Sequence, residues 1–232
     1  MGIVGGMNIE TLDHVALWVE DRDAVADFLT AHAGMHVIDR TDKFTLVGAD
    51  ARRGKLTLFA AEGKRVPGVL ARIGLRVFGL EDALADLPPG LPVDEGDGVA
   101  RFEAPGGIPL AFVEAEEGVA FDLDHVAFLV PDPERTFSEL AELGFRADGG
   151  VLQVGDSHLE LERGEPEQTD RPLLNHLGLR VQSADAHLEE AKRRGLDIAD
   201  VVDAANTYAV FVWGPDAIKL EYVEHKASFS LT

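Results

Sequence analysis

A fourfold internal repeat is the feature that most constrains this chain. Four segments share one apolar strand pattern, and the third positions of these segments are residues 14, 72, 125 and 176. The period is about one supersecondary unit, and such units bury a continuous core only when several of them pack together. The four segments are 12–19 (LDHVALWV), 70–77 (LARIGLRV), 123–130 (LDHVAFLV) and 174–181 (LNHLGLRV).

Each repeated strand is followed by a helix-like stretch and then by two or three short strand-like runs. The fourth unit has the clearest helix, because Ser183 caps 184–194 and Gly195 ends it. The first unit has apolar residues at helical spacing over 23–33, and the third begins its helix at Asp132-Pro133. The helical pattern of the second unit is weaker. The sequence therefore predicts an α+β fold of four β-α-β-β-β units.

Composition excludes several classes of function. The chain has 42 acidic and 21 basic residues, a formal net charge of −21, and so is a poor match for nucleic acid or anionic membranes. No apolar run reaches the roughly 18 residues of a membrane helix. Without cysteine, thiolate metal sites and thiol nucleophiles are excluded. We therefore expect a cytoplasmic protein with a small-molecule partner, in which any metal is held by histidine and carboxylate.

Two histidines and one glutamate are the candidate metal ligands. His125 and His176 each stand alone in an apolar strand, and Glu221 lies in the last strand between Leu220 and Tyr222. Since strand side chains alternate, Glu221 points away from its two neighbours. A single strand histidine is more often a core residue, but two at one repeat position with a nearby carboxylate favour a shared metal ion.

The repeated unit, with histidine in its first strand and glutamate in its last, resembles the vicinal oxygen chelate superfamily over about residues 8 to 225. That superfamily includes glyoxalase I, the bleomycin-resistance proteins and the type I extradiol dioxygenases. The resemblance implies that units pair into two cup-shaped mixed sheets. We expect one pair over 8–117 without metal and a second pair over 118–226 that carries the metal, with the boundary near Glu117.

The resemblance to extradiol dioxygenases implies an activity. His125, His176 and Glu221 match the iron(II) triad of those enzymes, and His158 matches their acid/base histidine. The implied reaction is ring cleavage of a catechol-like aromatic diol in aromatic catabolism, with Fe(II) as the favoured metal and Mn(II), Ni(II) or Zn(II) as other options. Phe211 stands where the family has a tyrosine, which removes one hydrogen-bond donor.

Two alternatives follow from the same resemblance. If Glu160 is a fourth ligand, the site resembles that of glyoxalase I, a lyase that moves a proton without redox chemistry. A cup without turnover would instead resemble the bleomycin-resistance proteins, which bind small molecules.

His14 is interpreted as part of a structural remnant, because Arg72 occupies the equivalent position of the second unit. His225 is expected at the surface, and the family makes a homo-oligomer an expectation.

Overall fold

The computed structural model describes residues 7–50, 54–115 and 121–229 and confirms four repeated α+β units. The first unit comprises β1 (Thr11–Val19), α1 (Arg22–His32), β2 (His36–Arg40), β3 (Phe44–Gly48) and β4 (Lys55–Ala60). The second comprises β5 (Leu70–Val77), α2 (Leu80–Ala85), β6 (Val93–Gly96), β7 (Val99–Ala104) and β8 (Ile108–Glu114).

The third and fourth units repeat this order. The third comprises β9 (Asp122–Val130), α3 (Pro133–Glu142), β10 (Arg146–Asp148), β11 (Val151–Val154) and β12 (Ser157–Arg163). The fourth comprises β13 (Leu174–Arg180), α4 (Ala184–Arg194), β14 (Ile198–Asp203), β15 (Thr207–Trp213), a 3-10 turn (Pro215–Ala217) and β16 (Lys219–His225).

Local capping explains where the helices begin and end. At the start of α4, the Ser183 hydroxyl accepts a hydrogen bond from the Ala186 amide, and at its end Gly195 takes the left-handed conformation at φ 67°. At the start of α1, the Asp21 carboxylate accepts bonds from the amides of Asp23 and Ala24. Because these signals are local, the predicted helix positions agree closely with the structure.

The units pair into two eight-stranded mixed sheets, but not in the predicted combination. The first and fourth units form one sheet, in the order β14-β15-β16-β13-β1-β4-β3-β2. We call it the outer sheet because its units come first and last among the four along the chain, and the sheet of the two middle units the inner sheet. The second and third units form the inner sheet, in the order β10-β11-β12-β9-β5-β8-β7-β6. The predicted halves, 8–117 and 118–226, instead joined neighbouring units, and the predicted boundary near Glu117 lies outside the described residues.

The connections between units are consistent with this pairing. The second and third units are adjacent, and Phe121 at the start of the third donates its amide to the Arg76 carbonyl at 2.6 Å. The other two linkers run side by side between the sheets. Val66 donates its amide to the Arg171 carbonyl at 3.1 Å, and Leu173 donates to the Val66 carbonyl at 2.7 Å. Both linkers therefore lead from one sheet to the other.

Strand alternation separates a packed face from an open face in the outer sheet. On β16, Leu220 and Tyr222 are fully buried, and the Tyr222 hydroxyl donates to the Leu143 carbonyl at 2.8 Å. Glu221 points to the opposite face, as predicted, and lines a cavity there. We call this face of the outer sheet the outer cup. None of the helices in the described segments has the length and apolarity needed to cross a membrane.

Candidate metal centre

Three side chains meet at the floor of the outer cup: His14 on β1, His176 on β13 and Glu221 on β16. These strands are neighbours in the order β16-β13-β1. The register sets His14 and Glu221 on either side of Gly178, and His176 lies two residues before Gly178, so the three side chains project from neighbouring positions on one face of the sheet. His176 and Glu221 are buried, at 5% and 8% exposure.

The three donor atoms form a nearly equilateral triangle. His14 Nε2 lies 3.0 Å from His176 Nε2 and 3.1 Å from Glu221 Oε2, and His176 Nε2 lies 3.0 Å from Glu221 Oε2. With metal–ligand distances of about 2.1 Å, neighbouring donors are about 3.0 Å apart in an octahedral site and about 3.4 Å apart in a tetrahedral one. The triangle therefore fits one face of an octahedral ion.

The second nitrogen of each imidazole fixes the tautomer that a metal requires. His14 Nδ1 donates to Asp13 Oδ2 at 2.9 Å, and His176 Nδ1 donates to Asn175 Oδ1 at 3.1 Å. Because both acceptors are oxygens, each Nδ1 carries a proton, and Nε2 of the neutral imidazole is the atom left to ligate a metal in the triangle. Outer partners of this kind orient histidine ligands in metal sites.

Glu221 Oε2 is buried, and its surroundings are consistent with an ion. It lies within 3.1 Å of both ring nitrogens, yet it has no partner in hydrogen-bonding geometry. A buried carboxylate oxygen without a hydrogen bond is costly. The three donor atoms are close together, yet Glu221 Oε2 has no hydrogen bond. Both observations are expected if the three atoms point at a common cation rather than at one another.

The electrostatics of the triangle also call for a positive charge at its centre. Burial disfavours a charged His14, but the hydrogen bond to Asp13 and the contact with Glu221 outweigh it and raise the pKa of His14 to about 9. For Glu221, burial is outweighed by the two histidines, which lower its pKa to about 2. Burial lowers the pKa of His176. A proton on His14 supplies one charge in the metal-free protein, and a divalent ion would supply two.

Asp13 links the triangle to a second buried network. Its carboxylate accepts from Lys55 Nζ at 2.8 Å and lies 3.1 Å from His225 Nε2, in addition to accepting from His14. Burial raises the pKa of Asp13, but these three partners hold it well below its usual value. The His225 ring stacks on Phe229 with ring centres 3.7 Å apart. His225 thus belongs to the cup, whereas its tail position predicted a surface residue.

A cavity of about 730 Å³ lies in front of the triangle. A volume of this size accommodates one small organic molecule. Three lysines also reach this cavity: Lys43, Lys55 and Lys219. Its aromatic lining consists of Trp18, Phe44, Phe59, Phe211, Trp213 and Phe229.

The predicted ligands are divided between the two sheets. His176 and Glu221 come together as predicted, but His125 lies on β9 of the inner sheet, where it pairs with Gly74 of β5. His14 takes the place predicted for His125 beside His176 and Glu221, so the structure corrects the predicted grouping of these side chains. The cause is the pairing of the first unit with the fourth, which brings β1 rather than β9 beside β13.

Glu160 and His158 also lie in the inner sheet, on β12 beside His125. Glu160 therefore cannot join His176 and Glu221 as a fourth ligand, and His158 cannot exchange protons with a molecule bound at the triangle. In the outer sheet the strand position that matches Glu160 is Thr57, since Ala16 pairs with Thr57 as Ala127 pairs with Glu160.

Arg72 is the centre of the corresponding face of the inner sheet, which we call the inner cup. Its Nε donates to His125 Nε2 at 2.9 Å, and its two terminal nitrogens donate to Glu160 at 2.7 Å and Glu162 at 2.8 Å. His158 Nε2 lies 3.3 Å from the other Glu160 oxygen. The bond to His158 and the charges of His125 and Arg72 outweigh partial burial and lower the pKa of Glu160 to about 2.

Sequence reasoning missed Asp13, Lys55 and Lys219, and it treated His14 as a remnant. One signal was present, because Asp13-His14 and Asp124-His125 begin identical Asp-His-Val-Ala tetrapeptides. In both, the aspartate lies within 2.9 Å of the histidine Nδ1. The identity of the two motifs makes either histidine an equal candidate until the pairing of the units is known.

Comparisons with known proteins agree with this architecture. Residues 11–88 match the model of the Glyoxalase/Bleomycin resistance protein/Dioxygenase superfamily. No curated protein matches the chain by sequence.

Solved structures share the fold at low sequence identity. A candidate dioxygenase from Bacillus subtilis subsp. subtilis str. 168 has a TM-score of 0.76 at 17% identity, covering 94% of this chain and 86% of its own. Glyoxalase I from Zea mays has a TM-score of 0.72 at 17% identity, with coverage of 94% and 92%. The cppA protein from Streptococcus pneumoniae TIGR4 has a TM-score of 0.67 at 14% identity, with coverage of 94% and 99%. At such identities the likeness concerns the fold alone. The chain thus has the fold of the vicinal oxygen chelate superfamily, whose family model matches its first unit and the start of its second.

Proposed function

We propose that this protein is a metal-dependent ring-cleaving dioxygenase of the extradiol type, acting on a catechol-like aromatic diol. His14, His176 and Glu221 would hold the metal, Fe(II) or Mn(II). The observation that carries the proposal is the triangle of donor atoms with sides of 3.0 to 3.1 Å. Two histidines and one carboxylate on one face of an octahedron are the ligand set of non-haem iron(II) oxygenases.

The ligand count supports an oxygenase over a four-ligand lyase. Thr57 stands at the strand position where a second carboxylate would complete a two-histidine, two-glutamate set. Glu160, the residue predicted for that role, is bonded to Arg72 in the inner cup. With three protein donors, half of the octahedral positions stay open. When bound, the ion would supply a Lewis-acid centre for both diol oxygens and redox capacity toward dioxygen.

The walls of the cavity suit a flat aromatic molecule. The Phe211 ring lies 5.1 Å from the His176 ring in a perpendicular arrangement, and the Phe59 ring lies 6.2 Å from it. Aromatic side chains favour offset or edge-to-face contact with another ring. Phe59 and Phe211 would therefore orient the substrate ring beside the triangle and exclude water from it.

Lys219 adds a positive charge to the same cavity. It lies on the strand face of Glu221, two residues away, and its ammonium group is 5.9 Å from the Phe211 ring centre and 5.5 Å from that of Trp213. In this role Lys219 would donate a hydrogen bond to an anionic oxygen of the substrate. Lys55 is less suited, because its ammonium is already bonded to Asp13.

The proposal is tested by metal reconstitution. Protein stripped with chelator and reloaded with Fe(II) without air should consume oxygen when catechol is added and release a ring-cleaved product. Oxygen uptake should disappear in His14→Ala and persist in His125→Ala, the matched control in the inner cup. If the protein loaded with Ni(II) or Zn(II) converts a substrate without consuming oxygen, the proposal is contradicted and a lyase is favoured. Saturable catechol binding without turnover under any metal would contradict it in favour of a binding protein.

A further inference from the structure

The inner cup repeats two of the three donor positions of the outer cup. In the fourth unit, Glu221 pairs with the strand residue two places after His176. In the third unit, Glu160 pairs with Ala127, the residue two places after His125. The two histidine–glutamate pairs therefore have the same register on the same kind of parallel strand pair.

The cups differ at the third donor position. The outer cup receives His14 from the first unit, whereas the inner cup receives Arg72 at the same repeat position of the second unit. The guanidinium makes the contacts that an ion would make, since it bonds to His125 Nε2 at 2.9 Å and to a Glu160 oxygen at 2.7 Å. An arginine side chain cannot ligate a metal, because it has no free lone pair at any accessible pH.

The remaining groups of the inner cup are those of a metal site. His125 Nδ1 donates to Asp124 Oδ2 at 2.7 Å, which leaves the Nε2 lone pair facing the guanidinium. Glu162 adds a second carboxylate to the cup at 2.8 Å from Arg72. Arg72 is thus enclosed by acceptors, and its side chain is only 13% exposed.

We propose that the inner cup is a second metal site whose position is filled by the guanidinium of Arg72, and that replacing this side chain opens it to a divalent transition-metal ion held by His125 and Glu160. The guanidinium supplies positive charge and a planar set of donors to the carboxylates. The inner cup therefore satisfies its buried histidine and its partly exposed carboxylates without an ion from solution. This inference does not depend on what the outer cup catalyses.

The first test counts metal in a background from which the outer site has been removed. Chelator-treated His176→Ala protein, incubated with NiCl2 and desalted, should retain almost no nickel. Adding Arg72→His should raise the content to about one ion per chain, because the new imidazole completes a two-histidine, one-carboxylate set. Arg180→His in the same background is the matched control and should add none, since Arg180 pairs with Glu10 at the surface.

Two results of this test would overturn the proposal. One is a folded His176→Ala/Arg72→His protein that retains no nickel above the Arg180→His control. The other is nickel bound by His176→Ala alone and lost on further His125→Ala substitution, which would mean that Arg72 leaves the site open.

A second measurement covers the case in which the double variant does not fold. Arg72→Ala in the otherwise unchanged chain removes the cation and leaves the carboxylates of Glu160 and Glu162 without it. In chelator the melting temperature should fall below that of the parent, and NiCl2 should raise it by more than it raises that of Arg180→Ala, whose response comes from the outer cup alone. If Arg72→Ala melts at the parent temperature, or melts lower with no response to nickel beyond that of the control, the guanidinium does not stand in for an ion.

Discussion

The outer and inner cups are two solutions to one electrostatic problem on the same scaffold. Each places a buried histidine beside a glutamate at matching positions, with Glu221 buried and Glu160 half-buried, so a positive charge between them stabilises both. The inner cup carries its own, the Arg72 guanidinium bonded to His125 and Glu160. The outer cup has no arginine at that point and offers a third donor, His14. One side chain therefore separates a closed structural ion pair from an open candidate metal centre.

Removing the histidine of each cup gives the largest expected contrast. His14→Ala should lower metal affinity and oxygen uptake by more than about 100-fold, since loss of a direct ligand exceeds the effect of losing an outer partner. His125→Ala should leave both unchanged and lower stability, because Arg72 loses an acceptor. Metal analysis and oxygen uptake on the two proteins measure this. Equal metal loss in both would show that the cups are not distinct.

A glycine opposite each histidine provides a second contrast. A Cβ at Gly178 would come within 2.2 Å of the His14 ring, and one at Gly74 within 2.4 Å of the His125 ring. Gly178→Ala must displace the His14 ring. A shift of about 1 Å costs on the order of 100-fold in activity, so oxygen uptake should fall by about that factor. Gly74→Ala should lower the melting temperature without changing metal content. Unchanged metal affinity in Gly178→Ala would argue against His14 as a ligand.

The outer partners of the histidines should give an intermediate effect. Asn175→Ala removes the acceptor of His176 Nδ1 and should weaken metal binding by about 10-fold to 100-fold. Asp124→Ala removes the equivalent partner of His125 and should leave metal binding unchanged. Titration of the chelator-treated proteins with Fe(II) under nitrogen measures both affinities. Weaker binding in Asp124→Ala alone would place the metal in the inner cup.

The smallest effect is expected from restoring a hydroxyl beside the triangle. Phe211→Tyr adds a hydrogen-bond donor to the ring that lies 5.1 Å from His176. If the substrate presents two oxygens there, kcat should rise by up to about 5-fold, in line with one positioned hydrogen bond of about 1 kcal/mol. Phe44→Tyr adds the same group elsewhere in the cavity and is the control. An equal change in both would remove the special role of position 211.

The units themselves were predictable, because their signals are local. The Ser183 cap and the left-handed Gly195 fix α4 within a few residues, and the alternation of β16 sets Glu221 apart from Leu220 and Tyr222. These features depend on neighbours in sequence and on the strand period of two. The presence of His176 and Glu221 in one site follows from the same local logic, since both belong to one unit.

The partner of that unit was not predictable from the same signals. His14 and His125 lie in identical tetrapeptides, and each pairs with a glycine on the strand across from it. Either histidine would therefore fit beside a strand of the other type without a steric clash. The choice depends on long-range pairing of the units, which these local motifs do not encode.

Pairing the first unit with the fourth has a consequence for how the protein is made. The inner sheet is built from one continuous stretch, so it can assemble while the chain is still being synthesised. The outer sheet must wait for β16, which carries Glu221 and follows every strand of the inner sheet along the chain. A metal ion joining His14 to Glu221 would then act as a clasp between the first and last strands. A ribosome that stops before β16 would release a chain with a complete inner sheet and an outer sheet that lacks Glu221.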